Sequence, residues 1–167
     1  MKNADDDAMT EFSAATGESE LLPQQNILDF RVSNVELDKS RMNNILGMKE
    51  ALPSAIQTFV TFDFYDHNTN RTEVGVGYEP QFDQIISFKN TVDDFYLNYL
   101  EKECIVAEVF TVKGGIQQSS YEKIGEARLP LSCILQQDTS FQVQEIKTDQ
   151  GIFVGKIFYR MKMRQTL

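Results

Sequence analysis

The residue types that support acid–base or nucleophilic chemistry are few in this sequence and lie far apart. The chain has one histidine, His67, and two cysteines, Cys104 and Cys133. A catalytic triad or a zinc site needs further groups at suitable spacing, and none accompanies His67 in the polar run 66–70. We interpret His67 as a turn residue exposed to water, and the sequence predicts no catalytic residue, no metal site and no cofactor.

Each cysteine lies in a short apolar run that is typical of a β-strand, residues 104–106 and 132–135. No histidine is close to either cysteine in the sequence, so neither has the neighbouring base that activates a nucleophilic thiol. We interpret both as small buried side chains of a protein in a reducing compartment, in preference to a disulfide.

Two groups of carboxylates suggest chemistry at first sight. Asp5, Asp6 and Asp7 have the acidic density of a metal cluster, but such a run of charges is ordinarily a solvated segment. Asp93 and Asp94 resemble a paired-carboxylate catalyst, yet they precede a helical pattern, and helix N-termini attract carboxylates through the backbone dipole. Helix capping is therefore the preferred interpretation of the second pair.

Composition narrows the range of functions. The chain has 167 residues, of which 41% are hydrophobic and 25% charged, which suffices for one globular core. Its net charge of -9 disfavours nucleic-acid binding. It contains no run of about 20 apolar residues that would span a membrane, and its acidic start lacks the apolar core of a signal peptide. We expect a cytoplasmic protein.

The chain divides into an acidic N-terminal tail, residues 1–25, and one domain, residues 26–164. The tail combines carboxylates with small residues of no clear period, so we expect it to be disordered or to become ordered on a partner. Within the domain, a clear helix is expected at 92–102 with Thr91 as its cap, and residues 42–48 have helical spacing that Pro53 ends.

The rest of the domain alternates apolar and polar residues, which is typical of β-strands. About eight strands and one clear helix predict an all-β fold, an eight-stranded antiparallel sandwich. The strands are expected at 27–37 with a bulge near 33–34, and at 56–66, 72–76, 82–89, 103–112, 121–131, 141–146 and 152–163.

The last strand carries a basic stripe on an otherwise acidic chain. Because side chains alternate along a strand, four cations share one face, interrupted only by Phe158; they are Lys156, Arg160, Lys162 and Arg164. The stripe is a candidate docking face for an acidic partner such as a tubulin tail, another acidic protein segment or an anionic lipid headgroup. The alternative interpretations are a solvated face whose charges prevent edge pairing, and a surface paired with the acidic tail.

Three segments resemble the C2 domain. Residues 78–83, Tyr-Glu-Pro-Gln-Phe-Asp, are similar to the C2 pattern Asn-Pro-x-Trp/Phe-Asn, and residues 124–131 and 151–157 are similar to late C2 strands that begin at a glycine. The resemblance implies a C2 sandwich.

A narrower resemblance spans about residues 26–164. Residues 60–66, then Thr72, Val76, Gly77, Pro80 and Phe82, then residues 92–102 are similar to the C2 domain of the retinitis pigmentosa GTPase regulator-interacting protein family. Members of that family are scaffolds of the ciliary base and transition zone, and their C2 domains are regarded as calcium-independent protein-binding modules. The family's long coiled coils are absent, so we interpret the chain as an excised domain or a small relative.

The segments that supply calcium ligands in C2 domains support the same expectation. Calcium needs six to eight oxygen ligands, and C2 domains supply clustered Asp residues from loops at one end. Here residues 54–60 offer Gln57 or Thr58, and residues 110–115 offer Thr111 and Lys113, where the C2 pattern has Asp. Asp63 and Asp66 lie elsewhere and are interpreted as surface residues.

Taken with the resemblance, these features predict a calcium-independent protein-interaction module and not an enzyme. Its expected partners are ciliary scaffold or microtubule-associated proteins, and its expected place is the cilium, basal body or axoneme. The alternative is a peripheral membrane module that uses the basic stripe to bind anionic lipid.

Overall fold

A computed structural model describes residues 21–47, 53–113 and 120–167, with the side chain of Lys113 excepted. The predicted acidic tail therefore lies almost wholly outside the described residues. The elements are β1 (Gln25–Leu37), α1 (Lys39–Leu46), a 3-10 turn (Pro53–Ala55), β2 (Gln57–Asp63), β3 (Asn70–Arg71), β4 (Gly75–Val76), β5 (Gln81–Thr91), α2 (Asp94–Lys102), β6 (Cys104–Lys113), β7 (Ser120–Pro130), α3 (Ser132–Leu135), β8 (Gln142–Lys147) and β9 (Phe153–Met163).

The strands form an antiparallel path in the order β3-β2-β6-β7-β8-β9-β1-β5, and β4 pairs with β2 beside it. β7 and β8 are joined at a single residue pair, Glu126 with Lys147. The path therefore folds into two layers, β3-β2-β6-β7 and β8-β9-β1-β5. This confirms the predicted all-β sandwich.

The core lies between the two layers. Phe30 of β1 contacts Phe62 of β2 edge-to-face, with ring centroids 4.7 Å apart, and both rings are fully buried. Val60, Phe62 and Phe64 are buried together, as the alternation predicts. Since buried aromatic pairs contribute more than their area alone, the Phe30–Phe62 contact ties the first layer to the second.

The predicted bulge in β1 is confirmed. The register of β1 against both β5 and β9 shifts between Val32 and Asn34. A bulge lets Val32 and Val35 both face the core, and both are fully buried.

The predicted strand 72–76 was wrong for residues 72–74, because the segment that returns along β2 is divided into two short strands, β3 at Asn70–Arg71 and β4 at Gly75–Val76. Thr72 interrupts it, because its hydroxyl accepts the amide proton of Val60 at 3.0 Å while its own amide donates to the carbonyl of Val60 at 2.9 Å. The side-chain bond takes the place of a regular backbone pair.

The two longer helices, α1 and α2, are each capped by an aspartate. Asp38 caps α1 and accepts from the amide of Arg41, and α1 ends at Gly47 in the left-handed conformation (φ 69°), before Pro53 is reached. Asp93 caps α2 and accepts from the amide of Tyr96 at 2.9 Å. The prediction of Thr91 as the cap was wrong, because Thr91 is the last residue of β5; the capping role inferred for Asp93 is confirmed.

Candidate partner-binding face

The basic stripe lies on an interior strand. β9 pairs with β8 on one side and with β1 on the other, so its backbone groups are already in the sheet. The interpretation that the charges protect an exposed edge is therefore wrong. The alternation itself is confirmed, since Ile157, Tyr159 and Met161 are buried while Lys156 and Lys162 are exposed.

The charged group of Arg164, the fourth cation of the stripe, is already bound to a carboxylate of the same layer. Its Nε donates to Oδ2 of Asp29 at 2.9 Å and its Nη2 donates to Oδ1 at 3.1 Å. Only 8% of the Arg164 side chain is exposed. A bidentate, largely buried arginine–carboxylate pair holds a structure together, and leaves little of this guanidinium for a partner.

The other three cations share the outer face of the second layer. Lys156 and Lys162 take part in no ion pair with a described residue. Arg160 is half-buried, and its guanidinium lies over the ring of Phe141 at 5.0 Å from the centroid. The structure thus brings together Lys156, Arg160 and Lys162, three of the four residues predicted for partner binding. That these residues bind a partner remains a prediction.

Strand register places a second arginine opposite Arg160. Arg31 of β1 is the register partner of Arg160 on one side and of Ile85 in β5 on the other. Phe141, the residue just before β8, continues this row beyond Arg160, so that the four side chains cross β5, β1 and β9 and end at the start of β8. We call Phe141, Arg160, Arg31 and Ile85 the arginine row.

Apolar side chains border the arginine row. Val143 of β8 is the register partner of Phe158, which is half-buried, and Phe158 faces Asn34 of β1. Phe141 is 56% exposed, Val143 46% and Ile85 39%. Sequence reasoning from β9 alone missed these residues, although alternation in 141–146 and 82–89 already indicated which of them face outward.

On the outer face of the first layer, in contrast, aromatic and charged side chains contact one another within the chain. Phe59 stacks on Phe110 at 5.2 Å and meets Tyr121 edge-on at 4.7 Å, with the guanidinium of Arg71 over its ring. Lys123 bridges Glu108 at 2.8 Å and Glu126 at 2.9 Å.

The pKa values of this network reflect its pairing. Hydrogen bonds to Glu108 and Glu126 raise the pKa of Lys123, and the hydrogen bond from Lys123 lowers the pKa of Glu126. Lys123 and Glu126 therefore each favour the charged form of the other.

At one end of the sandwich, α1 and the connection 77–80 come together, since the amide of Leu37 donates to the carbonyl of Tyr78 at 2.7 Å and the Tyr78 hydroxyl donates to Oδ1 of Asn43 at 3.0 Å. We call this the loop end. The Asp38 carboxylate is engaged there by the first turn of α1, and the ammonium of Lys39 lies 5.5 Å from the centre of the Tyr78 ring.

Thr58 and Thr111, from the two segments considered for calcium, are register partners on β2 and β6, and both are buried. Among the described residues, no three His, Cys, Asp or Glu side chains are grouped closely enough to hold a metal ion. Residues 48–52 and 114–119 of the neighbouring connections lie outside the described part.

His67 is not the water-exposed turn residue that we expected. Its ring is half-buried, stacks on Phe64 at 5.8 Å, lies edge-on to Phe88 at 5.1 Å, and its Nε2 is 3.0 Å from Oδ1 of Asn90. Sequence proximity does not reveal this packing, because Phe88 and Asn90 belong to a different strand. His67 therefore supports the end of the core.

The cysteines are both free and half-buried. Burial raises the pKa of the Cys133 thiol, which keeps it protonated near neutral pH. The Sγ of Cys104 accepts from Nη1 of Arg128 at 3.7 Å, and the thiol of Cys133 donates to the carbonyl of Pro130 at 3.8 Å.

No helix in the described residues is long and apolar enough to cross a bilayer.

Two layers in this order, with α1 and the connection 77–80 at one end, define a C2 domain. Residues 18–166 match the family described as the first C2 domain of RPGR-interacting protein 1. The chain belongs to this family, which confirms the resemblance that its sequence shows. C2 domains are generally non-enzymatic modules that bind proteins or lipids.

Solved structures agree on the fold. A C2 domain of plant extended synaptotagmin 1 superposes with a TM-score of 0.60 at 16% identity, over 85% of this chain and 96% of that chain. A structure of CC2D1B, described as coordinating ESRCT-III activity during the mitotic reformation of the nuclear envelope, gives 0.61 at 16% identity, over 88% of this chain and 66% of that chain. At such identities the likeness shows the fold alone. No curated protein sequence matches the chain.

Proposed function

We propose that this C2 domain binds protein partners without calcium and serves as a scaffold component of the cilium, at the basal body or along the axoneme. Membership of the first-C2 family of RPGR-interacting protein 1 supports a protein partner. The ciliary placement follows the family resemblance.

The observation that carries calcium independence is the engagement of Asp38 at the loop end. Its carboxylate caps α1 by accepting from the Arg41 amide at 2.9 Å, and the cation of Lys39 follows it directly. A calcium ion placed here would have to compete with the helix cap and would meet a neighbouring positive charge.

Thermal unfolding in calcium chloride and in EGTA tests this part of the proposal. We expect the same unfolding midpoint in both, because a ligand stabilises a fold only when it binds the folded state. Asp38→Asn is the matched control, since asparagine caps a helix equally well but lacks the charge. A midpoint that rises with calcium in the native chain, but not in Asp38→Asn, would refute calcium independence.

Expression of the tagged chain in ciliated cells tests the scaffold role. We expect the chain to concentrate at the basal body or axoneme, and to co-purify in EGTA with proteins of those structures identified by mass spectrometry. Diffuse localisation together with recovery of no ciliary protein would contradict the proposal.

The exposed cations of β9 favour one alternative, binding to anionic lipid. Lys156 and Lys162 have no anionic partner among the described residues, and Arg160 has only an aromatic one. Co-sedimentation with phosphatidylserine-containing vesicles separates the two functions. The protein-binding function predicts no binding, whereas salt-sensitive binding in EGTA would favour the membrane.

A further inference from the structure

We infer that the arginine row is the docking site for an extended acidic segment of a partner protein. A carboxylate of that segment would lie between Arg31 and Arg160, and a neighbouring apolar side chain would pack on Phe141, Val143 and Phe158. This inference rests on the proposed protein-binding function and assigns its site and the chemistry of its partner.

The first support is a pair of like charges in register. Arg31 and Arg160 lie directly opposite each other on β1 and β9, and like charges in this arrangement destabilise a sheet. Among the described residues, the charge of Arg31 is compensated by Asp83, whose side chain is 68% exposed, whereas no carboxylate pairs with Arg160. A carboxylate from a partner would replace the repulsion with charge-assisted hydrogen bonds to both guanidiniums.

The second support is the exposed apolar surface beside the two arginines. Phe141 and Val143 lie next to Arg160 and Phe158 and are about half exposed, and Ile85 lies at the far end of the row. Exposed aromatic residues and arginines are the types that dominate binding energy at protein interfaces. The ring of Phe141 also holds the Arg160 side chain in place, which lowers the entropy lost on binding.

The distribution of charge favours a narrow segment over a flat anionic surface. Carboxylates border the cations on the same face, since Glu36 and Glu145 are the register partners of Lys156, and Asp29 is that of Lys162. A membrane laid across the layer would meet these carboxylates as well as the cations. A peptide that follows the row meets the two arginines, the apolar side chains and one carboxylate, Asp83, which is already paired with Arg31.

The opposite layer provides the comparison. Its outer aromatic cluster has the same kind of pair, because the Arg71 guanidinium lies over Phe59 at 5.0 Å, as Arg160 lies over Phe141 at 5.0 Å. There, however, Phe59 is only 9% exposed. The arginine–phenylalanine pair therefore has a buried ring on the first layer and an exposed ring, that of Phe141, on the second.

The test uses the full chain and a synthetic peptide of repeated Glu-Phe-Glu, with binding followed by calorimetry and fluorescence anisotropy. We expect salt-sensitive binding that Arg160→Glu and Phe141→Ala each weaken by about tenfold, the loss of one well-placed contact. Arg71→Glu is the matched control for the reversal of charge. Phe95→Ala is the matched control for the loss of an aromatic ring, since the Phe95 side chain of α2 is 79% exposed. Both controls should bind as the native chain does, and circular dichroism checks each fold.

Several results would overturn the assignment. One is unchanged binding by a folded Arg160→Glu chain, and another is equal binding of a Glu-Ser-Glu repeat, which would remove the apolar component. Binding that appears only after removal of residues 1–20 would make the chain's own acidic segment the occupant. Binding of phosphatidylserine vesicles that Arg160→Glu abolishes would assign the face to a membrane.

The outcome is separable from that of the proposed function. If the Arg160→Glu chain recovers ciliary proteins as well as the native chain does, the face is wrong and the protein-binding function stands. If neither chain recovers them, the proposed function itself fails.

Discussion

The guanidinium of Arg164 donates two hydrogen bonds to the carboxylate of Asp29, 2.9 Å from Nε to Oδ2 and 3.1 Å from Nη2 to Oδ1. The two residues are separated by 135 positions in the sequence. The pair joins the end of the last strand to the first strand, and the hydroxyl of Ser87 in β5 donates to the same carboxylate at 2.6 Å. Three neighbouring segments of one layer therefore meet at Asp29.

Arg164→Ala is expected to lower the free energy of unfolding by about 2 kcal/mol, because it leaves a partly buried carboxylate without its charged partner. Arg31→Ala is the control, since its pair with Asp83 is exposed and should change stability by less than about 1 kcal/mol. Urea unfolding at neutral pH measures both. Equal effects of the two substitutions would show that the buried pair contributes nothing beyond a surface one.

Asp93→Ala is expected to cost about 1 kcal/mol, the usual contribution of a helix N-cap, because the Tyr96 amide loses its acceptor. Thr91→Ala should change stability by no more than about 0.5 kcal/mol, since Thr91 is an exposed strand residue. Asp93→Asn should restore most of the loss, as asparagine also caps. Thermal unfolding of the three variants decides between the two capping residues.

Gly155→Ala is expected to disrupt the pairing of β9 with β1. A Cβ at this position would lie 2.2 Å from the carbonyl oxygen of Glu36 and 3.0 Å from the Cα of Leu37, which are backbone atoms that do not move aside. We predict a loss of about 3 kcal/mol, seen as a lower unfolding midpoint or a loss of soluble protein. Gly151→Ala, with open space around it but a φ of 80°, should cost about 1 kcal/mol.

Glu126 provides a pH-dependent prediction. The hydrogen bond from Lys123 lowers the pKa of its carboxyl below the ordinary value of 4.5. A lowered folded-state pKa means that the contribution is present above pH 4.5 and is lost as the pH falls through the folded-state value. Glu126→Gln should therefore be less stable than the native chain at neutral pH, by up to about 1 kcal/mol, because the network is partly exposed.

At acidic pH the difference between Glu126→Gln and the native chain should disappear. Glu145→Gln is the matched control, since its 3.4 Å contact with Lys147 is exposed on both sides and should contribute less at neutral pH. Urea unfolding at a series of pH values measures both variants. A stability difference for Glu126→Gln that persists unchanged into acid would rule out the ionic origin of the effect.

Much of the fold could be predicted because it depends on local pattern. The alternation in β1, β8 and β9 indicates which side chains are buried, and the bulge at Val32–Asn34 is visible as a break in that alternation. The return strand after β2 was less predictable, since the Thr72 hydroxyl replaces a backbone hydrogen bond there. Similarly, Thr91 and Asp93 both have capping side chains, and only the length of β5 decides between them.

The candidate site was predictable only in part. The face shared by Lys156, Arg160 and Lys162 follows from the strand period of two. The withdrawal of Arg164 and the placement of Arg31 do not, because each depends on a partner far away in the sequence. Likewise, the sequence run around His67 indicates a turn, while the burial of its ring depends on Phe88 and Asn90 of β5 in the opposite layer.

The sequence by itself determined that this chain forms an antiparallel sandwich, which residues face its core, and to which family it is similar, since these depend on periodicity and on short contiguous motifs. The tertiary structure alone decided that Asp29 neutralises Arg164 while Arg160 faces Arg31. The physical reason is strand register. Pairing across strands brings together charges that are more than a hundred residues apart, and a shift of one residue would send each of them to the opposite face.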